Sequence, residues 1–345
     1  MVASGYIKET THPKYKWRIY NYTPVAVHEG IWNEATRAAR GLILDWNDTV
    51  LARPFPKFFN LGEEQDIELP DEDFIVYDKM DGSLGIIFHA EGHWNVATRG
   101  SFSSVQAEVG ALILDNYYPH TNMDTSLTYL VEIIYPKNRI VIDYGTKEDI
   151  VFLGAINTKT GQEYLPGMIT TSFPQVDTMS ITGKTFSLNN IPDLPQFFNY
   201  RDGTKHEGFV VRFSSGYRIK VKIPDYKRIH RIVTNASNKT IWELMSTGQE
   251  IDILLEDVLP EDFKLWAIVI QDKLQNQFED LHLLAHDKYE WQGDYKTTAI
   301  WIMASDFKYK WMLLAIMRKY DLSEGIWNII RDDMIYERAY IVEEN

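Results

Sequence analysis

The sequence predicts an α+β protein in two parts, with antiparallel sheets and flanking helices over residues 1–240 and an all-helical part over residues 241–345. Three observations lead there. Short β-rich runs punctuated by turn residues fill the first two-thirds of the chain. Beyond about residue 240 apolar residues recur at spacings of three and four, the period of a helix. A chain of 345 residues is also long enough for two cores rather than one.

The elements follow in order. Phe74–Tyr77 and Leu84–Phe88 are β-rich runs on either side of Lys79-Met80-Asp81-Gly82-Ser83. The second run meets His93–Ala97 across Ala90-Glu91-Gly92, a hairpin turn by composition. Ser103 or Ser104 caps a helix running to about Tyr117, with Val105, Val109, Leu112 and Ile113 expected on its apolar face. Strands resume at Leu127–Ile134, Arg139–Ile142 and Val151–Ile156. Glu207–Phe213 and Tyr217–Ile223, joined by Ser-Ser-Gly, read as a second hairpin. In its second strand Ile219, Val221 and Ile223 share one face, which puts Lys220 and Lys222 together on the other. Two lysines on one side are electrostatically costly unless an anion sits between them. Ile251–Leu259, Phe263–His286, Thr297–Met303 and Trp311–Tyr320 carry the helical pattern.

Composition narrows the class. There are no cysteines, which excludes disulfides, thiolate zinc sites and a cysteine nucleophile together. The N-terminal stretch to Thr23 lacks the apolar run of a signal peptide. No window reaches the ~20 apolar residues a membrane span needs, so a soluble, cytoplasmic chain is expected, with no membrane partner. The net charge of −14 argues against non-specific nucleic-acid binding over the whole surface. About −10 of it lies in the last hundred residues, leaving local clusters of bases upstream. Those clusters are Lys14, Lys16 and Arg18, then Lys220, Lys222, Lys227, Arg228 and Arg231.

Lys79-Met80-Asp81-Gly82-Ser83 is where chemistry is expected. A lysine between two strands, followed by a tight Asp-Gly turn with exposed backbone N–H groups, suits a nucleophile held against a phosphate. Generic turn chemistry alone makes the same five residues a solvated turn.

Their company decides between the two. The chain resembles the covalent nucleotidyltransferase superfamily, and specifically the phage RNA ligase 1 family. Lys79-Met80-Asp81-Gly82-Ser83 looks like its nucleotidyl-lysine motif, and Ala39-Arg40-Gly41-Leu42-Ile43-Leu44 resembles the Arg-Gly segment upstream. Pro56-Lys57-Phe58-Phe59-Asn60 matches the family's Lys-Phe-Phe-Asn signature. Thr98-Arg99-Gly100-Ser101 stands where the family has Lys-Gly-Ser, so Arg99 replaces a lysine there. Val131-Glu132-Ile133-Ile134 resembles the segment of the ribose-binding glutamate, and Val151–Asn157 the strand beside the adenine. Glu207-Gly208-Phe209-Val210-Val211 and Ile219-Lys220-Val221-Lys222 look like the closing motifs. They come in the family's order.

The resemblance implies a nucleotidyltransferase domain followed by a helical domain that selects RNA. It implies an ATP-dependent RNA ligase that joins 5′-phosphate and 3′-hydroxyl ends through lysyl-AMP and adenylylated RNA, acting in RNA repair, with a nicked tRNA among the substrates. In this reading Lys79 is the nucleophile, and Lys220 and Lys222 hold the α-phosphate and depress its amine. Arg40, Lys57, Asp81, Gly82, Glu132 and Phe152 hold ATP or AMP, and Arg99 contacts phosphate or RNA. Glu207 holds Mg²⁺ (Mn²⁺ in its place) directly or through water. The bland role for Glu132 is a structural partner of Arg139, and for Phe152 a place in the core. A monomer is expected.

Other patterns carry less. His282 and His286 lie at i, i+4, but His-Leu-Leu-Ala-His lacks the glutamate of a zinc helix. No P-loop and no Gly-x-Ser-x-Gly occur. The rival readings are a DNA ligase or capping guanylyltransferase, which continue into an OB-fold of short strands, and a non-catalytic RNA-end-binding protein, which needs no lysine aimed at the α-phosphate.

Overall fold

A computed structural model of the chain describes residues 1–63, 69–179, 205–255 and 259–338. Two compact units divide the chain, Met1–Arg228 (with Glu344–Asn345, which lie outside the described residues) and Ile229–Glu343. The division falls within the helix Pro224–Asn235, ahead of the residue 240 expected from the sequence.

The first unit is built from three sheets. Strands β1 (Ile7–Thr11), β2 (Trp17–Tyr22), β3 (Arg40–Asp45) and β4 (Val50–Ala52) form the first, in that order. β7 (Ser83–Ala90), β8 (His93–Ala97), β9 (Leu127–Ile134), β10 (Asp149–Asn157) and β11 (Glu163–Tyr164) form the second, ordered β11-β10-β9-β7-β8. β5 (Phe59–Asn60), β6 (Phe74–Lys79), β12 (Thr178–Met179), β13 (Gly208–Phe213) and β14 (Arg218–Lys222) form the third, ordered β12-β6-β13-β14-β5. Pairing is antiparallel except between β14 and β5.

Alternation along β9 explains the layering. Tyr129, Val131 and Ile133 point to one face and pack with Ile113 and Leu114 of the helix Val105–Tyr117. Leu130 points the other way and packs with Trp17, Ile19 and Ile43 of the first sheet. On that same face Ile134 meets Tyr77 of β6 and Val210 of β13, so the second and third sheets enclose a cleft.

The expected hairpins are present. β7 and β8 turn through Glu91 (φ 52°) and Gly92 (φ 80°), the two positive φ angles of a type I′ turn. β13 and β14 pair in the register that opposes Val210 to Lys220 and Gly208 to Lys222.

Two expectations are corrected. The helix capped by Ser104 buries Ala107, Gly110, Ile113 and Leu114, whereas Val105 and Leu112 are 64% and 60% exposed. Its buried stripe runs through small residues because the helix lies close on β9; a Cβ on Gly110 would stand 2.8 Å from Ile133 Cδ1. Residues 139–142 form no strand. Ile140, Val141 and Ile142 are buried, which explains their β-like pattern, but the amides of Val141 and Ile142 bond to a side chain instead of a neighbouring strand.

The second unit is helical among its described residues. Glu261–Lys288 is a single helix of 28 residues, burying Phe263, Ala267, Ile270 and Leu274 at helical spacing. Tyr295–Ala304 and Lys310–Arg318 match the expected helices, and Ser323–Asp333 adds one the sequence reading did not separate. Ile251–Leu259 was expected to be helical; its described part is a single 3₁₀ turn at Asp252–Leu254. No helix among the described residues is long and apolar enough to cross a membrane.

Candidate active site

Lys79 is the last residue of β6, and the three residues after it carry the chain from the third sheet into the second. The segment is therefore a crossing between sheets and not a hairpin, because β6 pairs with β12 and β13 while β7 pairs with β8 and β9. Gly82 is required there: a Cβ would sit 2.6 Å from Ile133 O and 3.0 Å from Glu132 Cγ. Its amide instead donates to Glu132 Oε1 at 3.1 Å.

Gly208 explains how two lysines and a glutamate meet. In register it lies between Lys79 on β6 and Lys222 on β14. Its φ of +153° favours glycine, and a Cβ would stand 2.2 Å from Val221 O. With no side chain in between, the neighbouring Glu207 reaches both lysines. Lys79 Nζ donates to Glu207 Oε2 at 2.5 Å, and Lys222 Nζ lies 2.9 Å from Glu207 Oε1.

The electrostatics differ from expectation at Lys79. Burial alone would push its amine down, but Glu207, with Glu132 and Asp81 behind it, more than offsets this and holds it above its ordinary value. The carboxyl of Glu207 is likewise kept below its usual range, since Lys79 and Lys222 overcome the effect of burial. The depressed amine is that of Lys220, brought down to about 6 by burial and then by Arg40, Lys57, Lys79 and Lys222 around it. Lys220 has no carboxylate in ion-pair range among the described residues, and its ammonium lies 5.1 Å from the centre of the Phe58 ring.

Arg40 and Lys57 border the same space. Burial, then Arg99, lowers the Arg40 guanidinium against the opposing pull of Tyr22 and Glu132. Arg40 Nη1 is buried without a hydrogen-bond partner. Lys57 Nζ lies 4.7 to 5.7 Å from the rings of Phe59, Trp32 and Tyr22 and 3.8 Å from Glu63 Oε1. Arg99 joins this group: Nη1 donates to Tyr22 Oη at 3.2 Å, and its backbone lies against Gly41, next to Arg40.

Glu132 accepts from the Gly82 amide while Arg139 bonds to Asp143, so Arg139 is not its structural partner. Burial raises the Glu132 carboxyl to about 8, against Lys79, with Glu207 and Asp81 adding to the rise. Asp81 has both oxygens engaged: Oδ2 accepts from Val141 N (3.0 Å) and Ile142 N (2.8 Å), and Oδ1 accepts from Tyr226 Oη (2.7 Å). Its place is inside the turn, not at an open surface. Phe152 is corrected as a nucleotide contact. The pairing of Val151 with Glu132 puts Val151 on the cleft face, so Phe152 points the other way, fully buried beside Tyr129. The cleft face of β10 carries Val151 and Leu153, which pack with Tyr77, Met80 and Val210.

The sequence reading passed over Tyr22, Trp32, Tyr144 and Tyr226, and quoted Phe58 only as part of the Lys-Phe-Phe-Asn signature. Tyr22 had a signal, as the last outward residue of an alternating run at Trp17–Tyr22. Trp32, Tyr144 and Tyr226 had none, since only folding brings them to the motif residues. His282 and His286 have ring centroids 4.6 Å apart on one helix, and no metal-binding cluster of three His, Cys, Asp or Glu occurs among the described residues.

Comparison with known proteins places the chain in a family. Residues 38–226, over half the chain, match a family described as RNA ligase. The RNA ligase of Rhodothermus phage RM378 is 24% identical, with 71% of this chain and 72% of that protein covered. A candidate bifunctional polynucleotide kinase/RNA ligase of Autographa californica nuclear polyhedrosis virus is 26% identical over 74% of this chain but only 40% of its own length. Among solved structures, an archaeal ATP-dependent RNA ligase aligns with a TM-score of 0.44 at 12% identity, covering 78% of this chain and 67% of that one.

Proposed function

Because the chain belongs to the RNA ligase family of the phage T4 RNA ligase 1 type, we propose that it seals RNA ends with ATP, carrying AMP on Lys79. One observation carries this reading. Lys79 ends at a buried cluster of cations in which Lys222 pairs with Glu207 and Lys57 with Glu63, whereas Lys220 and Arg40 have no carboxylate in ion-pair range among the described residues. Arg40 Nη1 has no hydrogen-bond partner among them either, so a polyanion would complete the cluster.

In the first step Lys79 Nζ forms a bond to the α-phosphorus of ATP and the bond to pyrophosphate breaks. An RNA 5′-phosphate oxygen then takes the AMP, and a 3′-hydroxyl displaces it as the phosphodiester forms. The amine must be neutral to attack. Glu207 holds it charged in the free protein, so the resting state is unprimed and phosphate binding has to draw Lys79 away from Glu207. Lys220, Lys222 and Arg40 bind the charge that develops on the phosphates. We assign Glu132, whose Oε1 accepts from the Gly82 amide, to a ribose hydroxyl, and Arg99 with Tyr22 to the RNA end.

The donor set fits Mg²⁺ only as a partner of bound phosphates. No protein cluster of three ligands is present among the described residues, and both Glu207 oxygens face lysines. Mg²⁺ with few protein carboxylates and several phosphate oxygens is its usual mode, and Glu207 is the carboxylate that would hold it. Bound so, the ion supplies neutralisation of phosphate charge; Mn²⁺ would do the same. The substrate we favour is a broken RNA, a nicked tRNA among the candidates, with the helical unit selecting it.

Incubation with Mg²⁺ and α-labelled ATP tests the reading. Label is expected on the protein and absent from Lys79→Ala; label from GTP in its place would assign a capping activity. An unlabelled wild-type protein would sink the proposal.

A further inference from the structure

The segment that holds the nucleophile in place is fastened by a residue from outside every motif discussed so far. Tyr226 lies on the helix Pro224–Asn235, four residues past Lys222 at the end of β14. It is one of the largest fully buried side chains, at 1% exposure. Its hydroxyl donates to Asp81 Oδ1 at 2.7 Å, and its ring lies 5.3 Å from the Lys222 ammonium. Asp81 in turn receives Val141 N and Ile142 N, and its own amide donates to Tyr144 Oη at 2.9 Å.

This network joins two parts that the reaction must keep in register. Lys79 ends β6, and Asp81 is two residues on; Lys220 and Lys222 end β14, and Tyr226 is four residues on. Between β6 and β14 lies β13, whose ladder fixes them only as far as Gly208. Beyond that point the backbone of the Lys79 segment leaves the sheet, so the strand pairing no longer sets its position. Val141, Ile142, Tyr144 and Glu132 hold it from the side of the second sheet, and the Tyr226–Asp81 bond is the tie that comes from the β14 side. Resting on the reading of Lys79 as nucleophile, we propose that Tyr226 is a positioning residue, which sets the Lys79 amine against the phosphate held by Lys220 and Lys222. It touches no substrate. Its hydroxyl fixes the turn and its ring seats Lys222.

A shift of the order of 1 Å at a nucleophile is enough to cost about a hundredfold in rate. The two arms of Tyr226 separate by substitution. Tyr226→Phe keeps the buried ring and the seat for Lys222 but leaves Asp81 Oδ1 buried and unpaired. Tyr226→Leu removes both.

The test is single-turnover labelling of the full chain with α-labelled ATP and Mg²⁺, recording rate constant, amplitude and half-saturating ATP. Tyr226→Phe is expected to label to the wild-type amplitude with a rate constant about ten- to hundredfold lower, and half-saturating ATP within about threefold, as loss of one buried hydrogen bond at a positioned group implies. Tyr226→Leu is expected to raise half-saturating ATP as well. Reduced amplitude at an unchanged rate constant would mark a structural role only and overturn the proposal, as would wild-type kinetics. Should Tyr226→Phe not fold, Asp81→Asn reads the same tie from its other end: a slowed rate constant at full amplitude supports it, and wild-type kinetics refutes it. Wild-type protein that takes no label at all defeats the ligase reading instead, which keeps the two failures apart.

Discussion

At the scale of single residues the site is defined by lysines in unequal states. Lys79 is held charged by Glu207, while Lys220, two residues from Lys222 on the same face, is pushed down to about 6 by burial and by the cations around it. The sign of the consequence follows. Between about 6 and the ordinary 10.5 the unfolded chain binds a proton at Lys220 that the fold does not, so this residue makes stability rise with pH across that window. The cost to folding is full below pH 6 and gone above 10.5. Lys220→Met should therefore be more stable than wild type at pH 7, by at most about 5 kcal/mol from the span between pH 7 and 10.5, with the gap closing toward pH 10. Urea melts of both proteins across that range check it, and a gap that is constant or grows with pH contradicts it.

At the scale of elements the controlling feature is the β13 strand and its first residue. Gly208 has no room for a Cβ and a φ that disfavours one, and it separates Lys79 from Lys222. Gly208→Ala is expected to cost roughly 2–4 kcal/mol of stability and to abolish labelling of Lys79 in whatever fraction folds. Gly216→Ala is the contrast: its φ of +91° is strained, but a Cβ would meet only Arg212 Nη2, at 3.9 Å, so a loss near 1 kcal/mol with labelling kept is expected. Urea melts with labelling of each variant check the pair. Elements such as these were legible where the pattern was local. The alternation in Ile219–Ile223 put Lys220 and Lys222 on one side, and β14 does so. It failed where packing chose the phase. Val105 and Leu112 look like an apolar face, yet the helix turns Ala107 and Gly110 inward because only small residues let it approach Ile133. Phe152 looked like an adenine platform, but the pairing of Val151 with Glu132 turns it away. Tyr226 was invisible because its value comes from Asp81, 145 positions away in the chain.

At the scale of the molecule the site is contained in one unit. Every residue assigned to it, from Tyr22 to Tyr226, belongs to Met1–Arg228, and the ladders that position them are β-pairings within that unit. The second unit holds much of the negative charge, since about −10 of the net −14 falls in the last hundred residues. Such a surface repels a phosphate-rich substrate, which is consistent with the role proposed above for this unit, selection among RNAs more than broad binding. Chemistry and selection then separate on truncation. A chain ending after Asn235 keeps the helix that carries Tyr226 whole and removes the helices that follow. It is expected to label Lys79 from ATP within about threefold of the full chain, because no group that touches the phosphates is lost. Its preference among broken RNAs should change, with sealing of a nicked stem-loop falling at least about tenfold relative to a simple single strand, a difference of ~1.4 kcal/mol in discrimination. Ligation of both substrates by both proteins measures the ratio. A folded truncate that no longer takes label would show that the helical unit completes the adenylylation site, and an unchanged ratio would move substrate selection into the sheet-built unit, where Arg99 and Tyr22 are the groups to alter next.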